Sequence, residues 1–395
     1  MRILNISGQK DLRNLMQDIN VDAYGIKIML PKAQSRLLKI DSLNNIPANI
    51  LKQEMLSLGG DVALSRDALT GKTKKTDCLL MGNISQLNRL SDKLRKQPFG
   101  LSRISRDINL VLKGGRKDTF HLKAGKYSLK LGNRAYIMGI VNVTGDSFSG
   151  DGVLNLDTDK IVEYAMRLIK EGADIIDVGG ESTRPGAKPV SLKDEAKRVI
   201  PVIKSLVKKA GIPVSVDTYK PEVAKMALDC GASIVNDVSG LRDPKMAKVI
   251  SCYKATVVIM HMLKNPRSMQ NNPKYDSLID DIFLYLESAI EKAEAFGIGK
   301  QSIIIDPGIG FGKALRDNLE ILKRLSEFKS LGKPVLIGVS RKSFIGKLLN
   351  NRPDNRISGT IASCVNARMN RADIFRVHDV KAVKEALTIT DSINR

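Results

Sequence analysis

The sequence predicts an α/β protein: a (β/α)8, or TIM, barrel preceded by a small N-terminal α/β domain. Three observations predict it. From Tyr136 onward, eight short apolar runs alternate with amphipathic helical segments, the pattern of parallel βαβ units. The eight pairs occupy roughly 260 residues, close to the ~250 typical of this barrel. A polar or charged residue stands at or just after the end of every run. A doubly wound sheet is the alternative, but Gly-x-Gly-x-x-Gly does not follow the first run.

A chain of 395 residues is too long for one typical core. We expect residues 1–118 as a small basic extension and 119–395 as the barrel. In the extension, Arg2–Ile6 reads as a possible strand, Gln9–Ile19 as a helix and Ile26–Met29 as a strand. Ala48–Leu58 reads as a helix stopped by Gly59-Gly60. Cys78–Met81 reads as a buried strand, and Ile84–Leu94 as a helix. Pro98–Lys130 turns Gly/Lys-rich and reads as a linker followed by a hairpin. Gly71-Lys72-Thr73 lacks the upstream glycine of a phosphate loop, so a solvated charge run is the reading. What this region does is not legible.

In the barrel, strands are expected at Ile137–Val141, Ile175–Val178, Pro213–Val216, Ser233–Val235, Thr256–Met260, Ile303–Ile305, Val335–Gly338 and Ile374–Val377. Helices are expected at Asp159–Lys170, Lys193–Lys209, Pro221–Leu228, Lys245–Ser251, Leu278–Phe296, Asn318–Lys323, Ser358–Arg368 and Lys381–Asp391. The residues at or just after the strands are Asn142, Asp177, Asp217, Asn236 with Asp237, His261, Asp306, Ser340-Arg341-Lys342, and His378 with Asp379. In a barrel these positions converge on the C-terminal mouth. Singly, each reads as a cap; Asp237 and Asp379 read as structural. A polar group after every strand describes a lined cup.

Composition narrows the classes. The net charge is +22, and residues 1–130 hold 24 basic against 11 acidic residues. No nucleic-acid motif accompanies that excess, so a solvated surface with some anion steering is favoured. No apolar run is long enough to span a membrane. The scattered Cys78, Cys230, Cys252 and Cys364 read as reduced thiols, and a cytoplasmic location is expected. Asp217, Asn236, Asp306 and Lys342 suit a flat, nitrogen-rich heterocycle. Arg184, Arg376 and His378 are anion binders. Asn142 and the acids of the first loop offer hard oxygens for Mg2+, which normally bridges phosphates.

The motifs carry a resemblance. Asn142-Val143-Thr144-Gly145-Asp146-Ser147-Phe148-Ser149 and Gly179-Gly180-Glu181-Ser182-Thr183-Arg184-Pro185-Gly186 resemble the two signatures of dihydropteroate synthases. Val216-Asp217-Thr218, Asn236-Asp237, Met260-His261-Met262, Asp306–Lys313, Ser340-Arg341-Lys342-Ser343 and Arg376-Val377-His378-Asp379 follow in the family's order, over about residues 127–395. The resemblance implies condensation of 6-hydroxymethyl-7,8-dihydropterin pyrophosphate with p-aminobenzoate to 7,8-dihydropteroate. It implies that Asp217, Asn236, Asp306 and Lys342 hold the pterin, with Asp177 and Met260 beside it. Asn142, Arg376 and His378 would bind pyrophosphate with Mg2+. Thr183, Arg184, Pro185, Phe311 and Ser343 would form the p-aminobenzoate pocket, closed with Phe148. Asp217, Lys342, Arg376 and His378 are the expected catalytic set, and a homodimer is the family habit. The first loop departs from the family, with Gly145 in place of proline and Gly150-Asp151-Gly152 in place of Asp-Gly-Gly; Asp151 is assigned to the metal by analogy, with Asp146 as substitute. A methyltetrahydrofolate–corrinoid methyltransferase is the alternative, disfavoured because it needs neither Arg184, nor Lys342, nor the final Arg-Val-His-Asp.

Overall fold

Eight parallel strands lie side by side and close on themselves in a computed structural model of the chain. It describes residues 1–4, 6, 8–143, 158–182, 189–264, 269, 272–352 and 355–394. The chain divides into two units, Met1–Arg116 and Lys117–Arg395.

In the first unit, an antiparallel sheet carries Ser35–Asn44 and Asp61–Leu64 on either side of Lys75–Asn83. Helices Asn45–Leu56, Ile84–Leu94 and Leu101–Gly115 supply a core with the sheet, built from Leu51, Met55, Leu80, Leu90, Ile104 and Ile108 among others. Gln9–Asp18 and Ile84–Leu94 are helical as expected. Three expectations fail here. Arg2–Leu4 joins no strand. Ile26–Met29 lies in the helix Ala23–Met29, whose Asp22 cap accepts from the backbone N–H groups of Tyr24 and Gly25. The supposed linker contains the helix Leu101–Gly115, which buries Leu101, Ile104, Ile108 and Leu112; that spacing is helical.

In the second unit, Phe120–Ala124 and Tyr127–Leu131 form the expected hairpin. The barrel strands are β1 Tyr136–Asn142, β2 Ile175–Gly179, β3 Val214–Asp217, β4 Ile234–Asp237, β5 Thr256–Met260, β6 Ile303–Asp306, β7 Leu336–Ile337 and β8 Ile374–Val377. Each of β1–β5 pairs in parallel with the next; β8 pairs with β1, and β7 with β8. A parallel bridge from Ile305 to Val335 completes the ring. The strands are mostly apolar because strand interiors and surrounding helices cover both faces; Asp177, Ser215, Asn236 and Arg376 are polar exceptions within them. The helices are α1 Thr158–Lys170, α2 Leu192–Lys209, α3 Pro221–Asp229, α4 Pro244–Tyr253, α5 Leu278–Ala295, α6 Leu315–Lys323, α7 Ser343–Leu349, α8 Ile357–Met369 and α9 Val380–Ile393. The short α7 was not expected from the sequence. Phe120, Leu122, Ala124 and Leu131 of the hairpin pack with Tyr136, Ile175, Ile234 and Ile374 at the strand starts. They plug the N-terminal end and leave the C-terminal mouth for chemistry.

Candidate active site

Strand ends dictate what the mouth contains. Because β3, β4 and β6 terminate at Asp217, Asp237 and Asp306, side chains that begin as barrel filling finish as polar groups at its rim. The cup brings together Asp217, Asn236, Met260, Asp306, Phe311, Lys342, Arg376 and His378. Ile140, Val238 and Ile309 add apolar lining. Met260 and Phe311 pack with Val238, Met262 and Met269 into one apolar wall.

Beneath the cup, Arg376 is held by two carboxylates. Its Nε donates to Asp177 Oδ2 at 2.6 Å and its Nη2 to Asp217 Oδ2 at 2.6 Å. Asn236 Nδ2 donates to the same Asp177 oxygen at 3.1 Å. Asp177 is fully buried, and its Oδ1 has no hydrogen-bond partner among the described residues. Burial raises Asp217 to about 7 despite Arg376. Burial also raises Asp306 to about 6, although its Oδ1 accepts from Gly308 N–H at 2.7 Å. Lys342 is lowered to about 8 by burial, opposed by Asp306. Burial disfavours the Arg376 charge too, yet Asp177 and Asp217 together raise its pKa. The site therefore holds carboxylates that gain from any ligand offering N–H donors.

Lys342 Nζ sits 4.1 Å from the centre of the Phe311 ring, a cation–π contact. His378 is fixed by Ser340, whose Oγ lies 3.0 Å from Nδ1 and accepts from the His378 N–H at 3.2 Å. The loop after β6 owes its path to glycine. Gly308 has φ +73, and a Cβ there would meet the His261 carbonyl oxygen at 1.9 Å.

Not every expected residue enters the cup. Asn142 ends β1 half-buried and is not among the cup residues. Ser343 is exposed on the first turn of α7. Asp146, Phe148, Asp151, Thr183, Arg184 and Pro185 lie outside the described residues. Asp237 accepts from Ser239 and Leu241 N–H, and Asp379 pairs with Arg341. Both are structural, as their spacing suggested. His261 turns away, edge-on to the Tyr285 ring at 4.9 Å. Sequence reasoning missed the buried cluster in which Lys220, just before α3, bridges Glu181 of the loop after β2 and Glu195 of α2, because charges far apart in the sequence each read as solvated.

The profile of the pterin binding enzyme family matches residues 138–378. A dihydropteroate synthase of Synechocystis sp. is 43% identical over 276 residues, covering 69% of this chain and 95% of that protein. The chain belongs to the dihydropteroate synthase family. Among solved structures, the Xanthomonas albilineans dihydropteroate synthase with 4-aminobenzoic acid is 41% identical with a TM-score of 0.65, covering 70% of this chain and 98% of that one. Membership accounts for the (β/α)8 barrel and for a transferase. A probable bifunctional folylpolyglutamate synthase/dihydropteroate synthase of Halobacterium salinarum is 38% identical over 389 residues, which is 98% of this chain and 46% of that protein. That match spans both units, so the family's sequences include a counterpart of the first unit as well as of the barrel.

Proposed function

We propose that the chain condenses 6-hydroxymethyl-7,8-dihydropterin pyrophosphate with p-aminobenzoate, giving 7,8-dihydropteroate and pyrophosphate in folate biosynthesis. The observation that carries the reading is one cup with two chemistries. Asp217, Asn236, Asp306 and Lys342 suit a nitrogen heterocycle, and Arg376 and His378 adjoin them for an anion. The likeness to dihydropteroate synthases favours this over the corrinoid methyltransferase reading.

In this mechanism, Asp217 and Asn236 hold one edge of the pterin, and Asp306 and Lys342 the other. Asp177 fixes both Arg376 and Asn236 from below. The methylene C–O bond breaks and the leaving pyrophosphate takes the electron pair. The amine nitrogen bonds to the methylene carbon and then loses a proton. Positive charge developing on the pterin is stabilised by the Asp217 carboxylate, and negative charge on the leaving group by Arg376 and His378. The wall of Met260 and Phe311 helps to exclude water, which competes with the amine. No covalent bond to the protein is needed.

Mg2+ would be held by the amide oxygen of Asn142, which ends β1, with a first-loop acid (Asp151 or Asp146) and substrate phosphates, since the ion usually takes one or two protein ligands. Bound there, it would neutralise charge on the pyrophosphate. A pyrophosphate-release assay is the test: release should need Mg2+, vanish with chelator, and yield dihydropteroate only when the amine is present. Pterin binding without turnover would refute the synthase reading. A homodimer is also proposed, supported by Ile357 and Met369 standing 40% and 65% exposed on α8; light scattering would test it. No helix among the described residues is long and apolar enough to cross a membrane, which agrees with the proposed cytoplasmic location.

A further inference from the structure

Lys313 takes no part in the steps above, yet it is only 3% exposed. Its Nζ donates to the carbonyl oxygens of Phe311 at 3.0 Å and His261 at 3.4 Å, and lies 2.9 Å from His261 Nδ1. It enters none of the ion pairs among the described residues. A buried ammonium normally sits on a carboxylate; this one sits on two main-chain oxygens and a ring nitrogen. Burial lowers Lys313 to about 7 and, reinforced by Lys313 and Arg242, lowers the His261 ring to about 2, so the ring is neutral and the direction of its Nδ1 bond to Lys313 follows its tautomer.

The partners show what the lysine holds. His261 follows β5 and Phe311 follows β6, so one side chain joins two neighbouring mouth segments. The Phe311 ring faces Lys342. Beside it, Gly310 has φ +80, and a Cβ there would lie 3.2 Å from Lys342 Cδ. Asn318 secures the other flank: its Oδ1 accepts from Gly310 N–H at 2.6 Å, and its Nδ2 donates to the Lys313 carbonyl at 3.3 Å.

We infer that Lys313 is a positioning residue: it ties the main chain at Phe311 to that at His261 and so fixes the Phe311 ring as a wall for p-aminobenzoate. The inference rests on reading Phe311 as part of the p-aminobenzoate pocket. Lys313 reaches the pterin side only through its charge, which acts on Asp306; Lys313→Arg keeps that charge, so in that variant the pterin side should feel the change less.

Steady-state kinetics with both substrates varied tests this in the full chain. Lys313→Met should raise the KM for p-aminobenzoate about tenfold, worth ~1.4 kcal/mol. The KM for the pterin pyrophosphate should change less than the amine's. Combined with Phe311→Ala, the Met variant should add little to the effect of Phe311→Ala alone, because both remove one wall. Should Lys313→Met fail to fold, Lys313→Arg replaces it. Arginine keeps the charge but spreads its donors in a plane, so the amine-selective rise is again expected. A folded variant with unchanged amine KM, or effects that multiply with Phe311→Ala, overturns the inference. A merely structural lysine would lower Tm and active fraction without splitting the two KM values. Absence of dihydropteroate from the wild type would instead overturn the functional reading itself.

Discussion

Burial holds the Asp217 carboxyl at about 7, whereas in an unfolded chain it would titrate near ~3.9. Between those values the folded state binds the extra proton, so stability falls as pH rises through the window. Asp217→Asn removes that titration but leaves Arg376 with Asp177 as its remaining carboxylate, so its melting temperature should vary less with pH between about 4 and 8 than that of the wild type. The same change should lower kcat/KM at least ~100-fold, as expected when a buried charge-stabilising partner is lost. A variant that stays active, or keeps the wild type's pH dependence of melting, contradicts the assignment. Asp217 was legible because it ends an apolar run; so were Asn236 and Asp306. Lys313 was not. Its lysine sits in a glycine-rich motif like any solvated charge, and only the fold reveals that its head is enclosed by His261 and Phe311.

The barrel strands were legible for a physical reason: a strand covered on both faces must be apolar at every position, and Thr256–Met260 is buried at all five. The first unit was harder. Ser35–Asn44 went unrecognised because its inward residues Leu38, Ile40 and Leu43 alternate irregularly among Lys39, Asp41 and Ser42, with a register shift between Ile40 and Leu43. The helix Leu101–Gly115 was hidden by its Gly/Lys-rich end. Among the barrel's attachments, the hairpin has a separable role: it fills the closed end, far in the sequence order of layers from the mouth. Leu122 is 1% exposed there. Leu122→Ala should cost about 2–5 kcal/mol, the usual range for a buried leucine truncation. Thermal melting should show the loss, while KM for both substrates at 25 °C should hold. A shift in KM without loss of stability would mean the hairpin reaches the chemistry. At the mouth, Gly308→Ala should do the reverse of a silent change, since the loop after β6 must move before a Cβ can fit against His261. Activity should fall by at least an order of magnitude, and retained activity would show that the loop relaxes freely.

At the scale of the whole chain, the two units differ in how they are stabilised. The core of the first is built from residues between Ala48 and Leu112, and those of the second from residues between Phe120 and Leu387. Each thus has its own apolar interior, which is the condition for folding alone. The barrel also carries every candidate site residue that the sequence singled out, whereas the first unit supplies none. We therefore propose the two units as separable domains and expect a chain lacking residues 1–116 to be soluble. Its far-ultraviolet dichroism should remain α/β, and its kcat/KM for dihydropteroate formation should stay within a few-fold of the full chain. Insoluble protein would show that the barrel buries apolar surface against the extension. Soluble protein with a raised KM for the anionic pterin substrate would give the basic extension a part in steering, and that increase should fade as added salt screens the charge.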